Sequence, residues 1–229
     1  MVVIPAGVFL MGWLSGRGSH DEQPAHPVRI RYSLPVSKYE VTQAEWHSVM
    51  GNNPSSFKGD RNPVEQVSWK DAKVFMQRLS ARTGKAYRLL SESEREYAAR
   101  ADTWTPFHFG LMISPEHAHY NGTYSYSGGP TGVFCKRTVP VGRFPANPFG
   151  LHDVAGNVME WVEDRYHGWY PGMTTDGRAS TIGSDCSERD LRGGSWDNRP
   201  WDLRSAARIR YHIAYRSNFI GLRVARMLL

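Results

Sequence analysis

The residue types that most often carry catalysis are few in this sequence and are poorly spaced for it. Cys135 and Cys186 are the only cysteines and lie far apart, so they form neither a Cys-x-x-Cys pair nor a metal cluster with nearby histidines; one disulfide or two free thiols both stay open. His117-Ala-His119 could present two imidazoles on one side of a strand, but an isolated His-x-His in a loop is more often solvated than bound to metal. No nucleophile elbow, His-Glu-x-x-His motif or phosphate-binding glycine loop is present. The sequence therefore gives no support to nucleophilic or phosphoryl-transfer chemistry.

The segment from Leu191 to Arg226 combines a framework of glycine, tryptophan and arginine with positions of mixed chemistry. Gly193-Gly194 suits a turn or a close approach of the backbone, and Trp196 is a large anchor whose indole N–H needs a partner. The mixed positions are Asp197, Asp202, Ile209, Tyr211, His212, Ile213, Tyr215, Ser217, Asn218 and Phe219. They show neither strand alternation nor a helical period, and they mix aromatic, aliphatic and small polar side chains as an adaptable binding surface does. A set of ordinary loops is compatible with the same residues.

Three helices must support these segments, and each begins at a capping box. The boxes are Thr42-Gln-Ala-Glu45, Ser68-Trp-Lys-Asp71 and Ser91-Glu-Ser-Glu94, in which the first side chain and the fourth satisfy each other's backbone amides. Gly51 and Gly84 predict where the first two helices end, and the third is expected to run through Arg100.

Strand-like runs are short and are separated by turn residues. They cover residues 2–11, 28–34, 134–141 and 222–225, and beyond residue 103 almost nothing has a helical pattern. No internal repeat or linker divides the chain. We therefore expect a single α+β domain over residues 1–229, with about three helices in its N-terminal half and little regular structure after them.

Composition limits the partners and the compartment. The 229 residues carry a net charge of +6, but the 28 lysines and arginines are scattered, which favours a solvated surface over a nucleic-acid site without excluding nucleic acid. No apolar run approaches the roughly 18 residues of a membrane helix, so no membrane span is expected. The N-terminal residues lack a basic region and are interrupted by Pro5 and Gly7, which argues against a signal peptide. A soluble protein is expected; the compartment stays open, with the cytoplasm favoured.

Six motifs occur in the order that they have in one known family. They are the run from Met1 to Gly12, Tyr39-Glu-Val-Thr-Gln-Ala-Glu-Trp46, Asn62-Pro-Val-Glu-Gln-Val-Ser-Trp69, Tyr87-Arg-Leu-Leu-Ser-Glu-Ser-Glu-Arg-Glu-Tyr-Ala-Ala-Arg100, Asn147-Pro-Phe-Gly-Leu-His-Asp-Val-Ala-Gly-Asn-Val-Met-Glu-Trp161 and the segment from Leu191 to Arg226. Together they cover nearly the whole chain, which thereby resembles the formylglycine-generating enzyme (sulfatase-modifying factor) family. The resemblance implies a C-type-lectin-like fold that is compact, low in regular secondary structure and organised around a small twisted antiparallel sheet.

The same resemblance makes the family's redox metals unexpected here. Its oxidases bind copper through two cysteines, one just after the Gly-Gly-Ser and one five residues later, because soft thiolates select Cu(I). The stretch that begins here at Trp196 is shorter and contains no sulfur, so no copper and no formylglycine generation by that mechanism are expected. Relatives that use non-haem iron hold it with three histidines of an additional four-helix domain, which this sequence lacks.

A structural calcium is the metal that the resemblance does imply. In the family, Ca²⁺ is held by a side chain at the position of Asp153, by the carbonyls at Gly156 and Val158, and by the carboxylate at Glu160. Carboxylates and main-chain oxygens are the ligands that this hard cation prefers. The alternative is that Glu160 only caps backbone amides in a tight turn.

The C-terminal segment is also similar to that of variable proteins from diversity-generating retroelements, which use this fold and diversify the corresponding residues. This similarity implies a non-catalytic module that binds a protein or small-molecule ligand. The expected binding face consists of Trp196, Asn198, Trp201, Tyr211, His212, Tyr215, Asn218 and Phe219. Two alternatives stay open: an oxidoreductase that works without the two-cysteine copper site, for example in natural-product maturation, and a scaffold domain of a larger protein.

Overall fold

The computed structural model describes residues 1–14, 18–170, 172–180 and 186–227. In these residues three α-helices lie in the N-terminal half of the chain: α1 Gln43–Met50, α2 Trp69–Thr83 and α3 Glu92–Arg100. Two short 3₁₀ helices, His20–Glu22 and Pro200–Leu203, are the other helical segments described. The predicted α+β class and the three helices are confirmed.

Ten short strands are described, and they are divided among three sheets. They are β1 Val2–Ile4, β2 Gly7–Met11, β3 His26–Ile30, β4 Leu34–Val36, β5 Tyr87–Arg88, β6 Met159–Arg165, β7 Glu188–Arg192, β8 Arg208–His212, β9 Ile220–Gly221 and β10 Ala225–Arg226. The orders are β1-β4-β10-β5, β2-β3 and β8-β7-β6-β9. All the described pairs are antiparallel except β6 with β9. The strands thus form three small sheets rather than the single small sheet that was expected.

All three predicted capping boxes are present. The side chains of Thr42, Ser68 and Ser91 each accept a hydrogen bond from the backbone N–H three residues on, and the carboxylate at that position accepts one from the backbone N–H of the capping residue. Gly51 and Gly84 end α1 and α2 in the left-handed conformation, as predicted. No helix in the described residues is long and apolar enough to cross a membrane.

All four strand predictions need correction. Residues 28–34 contain the end of β3 and the first residue of β4, and residues 222–225 lie between β9 and β10 except for Ala225. Residues 2–11 form two strands in different sheets, β1 and β2, because Pro5 between them has no N–H to donate to a ladder. Residues 134–141 contain no strand; the Val139 N–H donates instead to Asn157 Oδ1 at 3.1 Å and the Val141 N–H to the Arg61 carbonyl at 2.9 Å. These two backbone amides therefore bond to loop partners and not to a neighbouring strand.

Helix α3 ties the third sheet to the rest of the molecule through buried ion pairs. All nine of its residues are buried. Glu92 pairs with Arg208 of β8 at 2.5 Å, and Glu96 pairs with Arg100 at 2.8 Å and with Arg192 of β7. These contacts fix the positions of β7 and β8, the strands that carry the C-terminal segment.

Candidate binding surface

The β8–β9 loop, residues 213–219, is held mainly through its main chain. The backbone N–H groups of Gln66 and Met159 donate to the carbonyls of Ser217 and Phe219, both at 2.9 Å. The indole N–H of Trp196 donates to the Asn218 carbonyl at 3.0 Å. The donors belong to three separate parts of the chain, so residues outside the loop determine the path of its backbone.

The side chains of this loop and of the end of β8 differ in exposure: Tyr215 and Arg216 are exposed, whereas Tyr211 and Phe219 are partly buried against the core. The rings of Tyr211 and Tyr215 stack with centroids 4.4 Å apart, and Tyr211 also contacts Phe219 at 6.2 Å. His212 is exposed and Tyr215 is 39% exposed. Tyrosine presents a large area at a low cost in conformational entropy, so this stack is well suited to contact a ligand.

Trp196 forms the floor beside the loop. It is only 7% exposed, and it packs edge-on against Phe57 at 5.6 Å and face-on against Phe134 at 5.9 Å. We define the aromatic face as Phe57, Phe134, Trp196, Tyr211, His212, Tyr215, Asn218 and Phe219. Phe57 and Phe134 were not predicted, since no pattern in the sequence links two phenylalanines to a tryptophan more than 60 positions away.

A cavity of about 380 Å³ borders the loop at Arg216. The guanidinium of Arg216 makes two hydrogen bonds to the carboxylate of Asp71, at 2.8 and 3.0 Å. Burial raises the pKa of Asp71, but the hydrogen bonds from Arg216 and Ser68 outweigh it and lower that pKa below its ordinary value. The ion pair therefore persists near neutral pH at the rim of the cavity.

Two of the predicted binding residues have other surroundings. Asn198 accepts a hydrogen bond from Ser195 Oγ at 2.7 Å and donates one to Asp202 at 3.2 Å, which stabilises its own turn. The Trp201 ring packs on Tyr126 at 4.6 Å and lines a separate cavity of about 500 Å³ that Trp13 also lines. The structure thus gathers six of the eight predicted residues in the aromatic face and leaves these two outside it.

The histidine pair does not converge. His119 hydrogen-bonds the Arg137 carbonyl at 2.7 Å, whereas His117 contacts Ser114 Oγ at 2.9 Å and stacks on Phe109. Among the described residues no group of three or more His, Cys, Asp or Glu side chains could hold a metal ion.

The comparisons with known proteins agree with this architecture. The family model "Sulfatase-modifying factor enzyme 1-like domain" matches residues 1–228. The chain belongs to this family. Its similarity to solved structures is as extensive: PvdO from Pseudomonas aeruginosa is 35% identical, with a TM-score of 0.86 over 99% of this chain and 93% of that one.

Two further relatives show which similarities are of fold and which are of sequence. Treponema denticola variable protein 1 superposes with a TM-score of 0.83 over 99% of this chain and 94% of that one, at 24% identity, which establishes the fold alone. The formylglycine-generating enzyme of Mycobacterium tuberculosis is 35% identical over 68% of this chain and 53% of the enzyme. The chain spans 38% to 60% of the length of the first curated relatives that it matches. The predicted C-type-lectin-like fold of the formylglycine-generating type is confirmed.

In this family member the position after Gly193-Gly194-Ser195 is Trp196, and no cysteine follows it in the sequence. Cys135 and Cys186 are both exposed and form no disulfide. In the family's oxidases the first of the two Cu(I)-binding cysteines lies at this position after the Gly-Gly-Ser. Here the position is occupied by the buried indole of Trp196, which supports the β8–β9 loop.

The calcium ligands that the family implies do not fit a cation at Glu160. Its Oε2 accepts a hydrogen bond from Arg95 Nε at 2.6 Å and its Oε1 accepts one from Arg223 Nε at 3.0 Å, and all three side chains are buried. A Ca²⁺ bound there would lie against two guanidinium groups, and like charges repel strongly in a buried site. Glu160 serves here as the shared partner of two arginines, and it does not cap a turn.

The other members of the predicted calcium set have mixed surroundings. Asp153 Oδ2 accepts the Gly142 N–H at 2.6 Å, while Oδ1 has no partner in the described residues. Burial raises the pKa of Asp153. Gly156 has a φ of +88° and lies so close to the His119 carbonyl that a side chain would overlap it, and the Val158 N–H donates to Glu40 at 3.1 Å. Calcium binding by these residues stays a prediction.

Proposed function

We propose that this family member is a binding module that recognises a protein or small-molecule ligand through the aromatic face. The observation that carries the proposal is the separation of roles in the β8–β9 loop. Its carbonyls accept hydrogen bonds from Gln66, Met159 and Trp196, while the side chains of His212 and Tyr215 are exposed. Every residue type has a backbone carbonyl, so these anchors tolerate a change of side chain.

The chemistry of the face indicates what it would bind. Stacked tyrosines offer a broad apolar area with hydroxyl groups at its edge, and His212 and Asn218 add adaptable hydrogen-bonding groups. The cavity at Arg216 gives the face a concave border. A peptide segment or a small molecule with an aromatic group and hydrogen-bonding groups would complement this surface.

The same separation of roles would serve a diversified variable protein. If the side chains at these positions vary among copies of the gene, the anchors described above would keep the loop in place. Sequencing the gene across a population of its source organism tests this extension: substitutions confined to the ten mixed positions named in the C-terminal segment support it, and a uniform distribution along the gene contradicts it.

Selection from a random linear peptide library displayed on phage tests the binding role. We expect peptides selected on the wild-type chain to lose at least tenfold in affinity for Tyr215→Ala, because an exposed aromatic anchor at a contact typically contributes more than 1 kcal/mol. The matched control is Trp169→Ala, since Trp169 is 51% exposed and stacks on His20 away from the aromatic face. Selected peptides that bind Tyr215→Ala and His212→Ala as tightly as wild type would contradict the proposal.

A further inference from the structure

A further cavity, of about 510 Å³, shares no residue with the aromatic face. It lies where β4, β5 and β10 of the first sheet meet the start of α3 and the chain at residues 177–179. Its apolar wall comes from Tyr32, Leu34, Leu89, Ala179 and Met227. This volume is in the range of sites that enclose small molecules, which are typically lined by apolar groups with a few polar ones.

The wall of the cavity is held in place without a ligand. The Gly177 carbonyl accepts hydrogen bonds from Ser91 Oγ at 2.7 Å and from the Tyr32 hydroxyl at 3.3 Å. Three residues later, the Ser180 N–H donates to Asp164 Oδ1 at 2.7 Å. Because both sides of residues 177–179 are anchored to buried elements, the cavity is preformed and a ligand would not have to order it.

The carboxylates that line the cavity are already paired with basic side chains of the protein. Glu94 is buried and accepts hydrogen bonds from both terminal nitrogens of Arg88, at 2.6 and 2.7 Å, and from Tyr32 at 2.6 Å. Glu163 accepts two from Lys73, at 2.7 and 2.8 Å. Neither carboxylate therefore attracts a further cation into the cavity.

Arg226 is different, because its guanidinium has no hydrogen-bond or ion-pair partner among residues 1–14, 18–170, 172–180 and 186–227. It is half-buried at the end of β10, in register with Tyr87. Of the two other arginines that line the cavity, Arg88 is paired with Glu94, and Arg178 is largely exposed and pairs loosely with Asp176 at 3.4 Å. The charge left over on this wall is thus positive and is concentrated at Arg226.

We propose that this cavity binds an organic carboxylate whose apolar body rests on the wall and whose carboxylate pairs with Arg226. A guanidinium presents two parallel N–H donors that match the two oxygens of a carboxylate. The remaining volume is bounded mainly by apolar side chains, so it favours an aliphatic or aromatic body over a sugar or a polyphosphate. This site is independent of the aromatic face and of the function proposed for it.

Titration with octanoate and with 1-octanol, followed by two-dimensional NMR, tests the proposal. We expect octanoate to shift resonances of residues 88–91, 177–179 and 225–227 with a dissociation constant below about 3 mM, and 1-octanol to bind at least tenfold more weakly. Arg226→Gln should weaken octanoate binding about 10- to 100-fold, since it removes a charge-assisted pair. Arg137→Gln is the matched control: it makes the same change of charge at an exposed side chain outside the cavity.

A space-filling variant keeps the test decisive. Ala179→Trp should abolish octanoate binding by occupying the cavity while the chain stays folded, as judged by its unfolding temperature. Equal affinity for octanoate and 1-octanol, or an equal effect of Arg226→Gln and Arg137→Gln, would overturn the role of Arg226. Binding of octanoate to Ala179→Trp with unchanged affinity, or no binding to the wild-type chain, would overturn the site itself.

Discussion

In helix α3 every side chain is buried and its charges are paired inside the protein, whereas in the β8–β9 loop the main chain is held and several side chains face solvent. Arg192 and Arg208 connect α3 to β7 and β8, and β8 leads directly into the loop. The two regions therefore lie close in the fold. Their side chains nevertheless have different surroundings. In α3 the side chains are buried and paired, whereas several loop side chains are exposed and would bind a ligand in the proposed function.

The difference shows how one fold can serve more than one chemistry. Buried residues such as Glu92 and Glu96 form ion pairs that position the strands. In the aromatic face, Trp196 and His212 also support the loop backbone, through the Asn218 carbonyl and the Ala214 N–H. Substitutions should therefore separate into a class that affects stability and a class that affects binding.

Glu96→Gln should produce the largest loss of stability. The variant leaves Arg100 and Arg192 buried without their shared carboxylate, and breaking a buried ion pair on one side typically costs about 3–5 kcal/mol. Urea unfolding of the variant and of wild type measures this difference. Glu45→Gln, at an exposed carboxylate of α1, is the control and should cost less than about 1 kcal/mol of unfolding free energy; similar losses in the two variants would remove the contrast.

Glu65 should make the framework beside the aromatic face sensitive to pH. Burial raises the pKa of Glu65 to about 7 from an ordinary 4.5, although the Phe57 N–H, at 2.7 Å from Oε1, partly opposes it. Between about pH 4.5 and 7 the folded state binds more protons here than the unfolded state, so stability falls as pH rises through that window. The expected loss is on the order of 2–3 kcal/mol.

Glu65→Gln should remove this contribution, because an amide does not ionise in this range. We expect the variant to be less dependent on pH than wild type between pH 5 and 8, and more stable than wild type at pH 8. Urea unfolding at several pH values checks both expectations. A parallel pH dependence in the two proteins would show that Glu65 does not carry the effect.

Trp196→Phe should have a smaller effect, confined to the boundary between the two regions. It keeps an aromatic ring against Phe57 but removes the donor to the Asn218 carbonyl, which leaves that acceptor unsatisfied at a cost of about 1–2 kcal/mol. Hydrogen exchange should become faster at the amides of residues 213–219 and stay unchanged in α3. Faster exchange throughout the chain would indicate that Trp196 supports the whole fold.

Tyr215→Ala should have the smallest effect on stability. It removes the stack on Tyr211, and an aromatic pair at a largely exposed position contributes about 0.5–1 kcal/mol. Thermal unfolding measures the change. A loss as large as that of Glu96→Gln would show that the loop depends on its side chains.

Local features of this fold could be predicted from the sequence, and distant contacts could not. The capping boxes at Thr42, Ser68 and Ser91 depend on residues three positions apart, so the helices were predicted with nearly their true bounds. The burial of α3 gave no such signal. Its Glu-Ser-Glu-Arg-Glu sequence is typical of an exposed helix, and it is buried only because Arg192 and Arg208 arrive from about 100 positions away.

The candidate site shows the same limit. The C-terminal motif was enough to name six residues of the aromatic face, but Phe57 and Phe134 contact Trp196 only in the folded chain. The ion pairs of Glu160 could not be predicted from the sequence either, since Arg95 and Arg223 lie 65 and 63 positions away from it. A motif can identify a carboxylate, whereas its partner depends on the fold.

The central claim is that the β8–β9 loop keeps its position when the side chains of His212, Tyr215 and Asn218 change and that these side chains bind the ligand. Combining His212→Ala, Tyr215→Ala and Asn218→Ala in one chain tests both parts in a single comparison of unfolding free energy and peptide affinity with wild type. We predict that the unfolding free energy falls by less than about 2 kcal/mol while phage-selected peptides lose at least tenfold in affinity. An unfolded variant, or a folded variant that binds the peptides as wild type does, would contradict the claim.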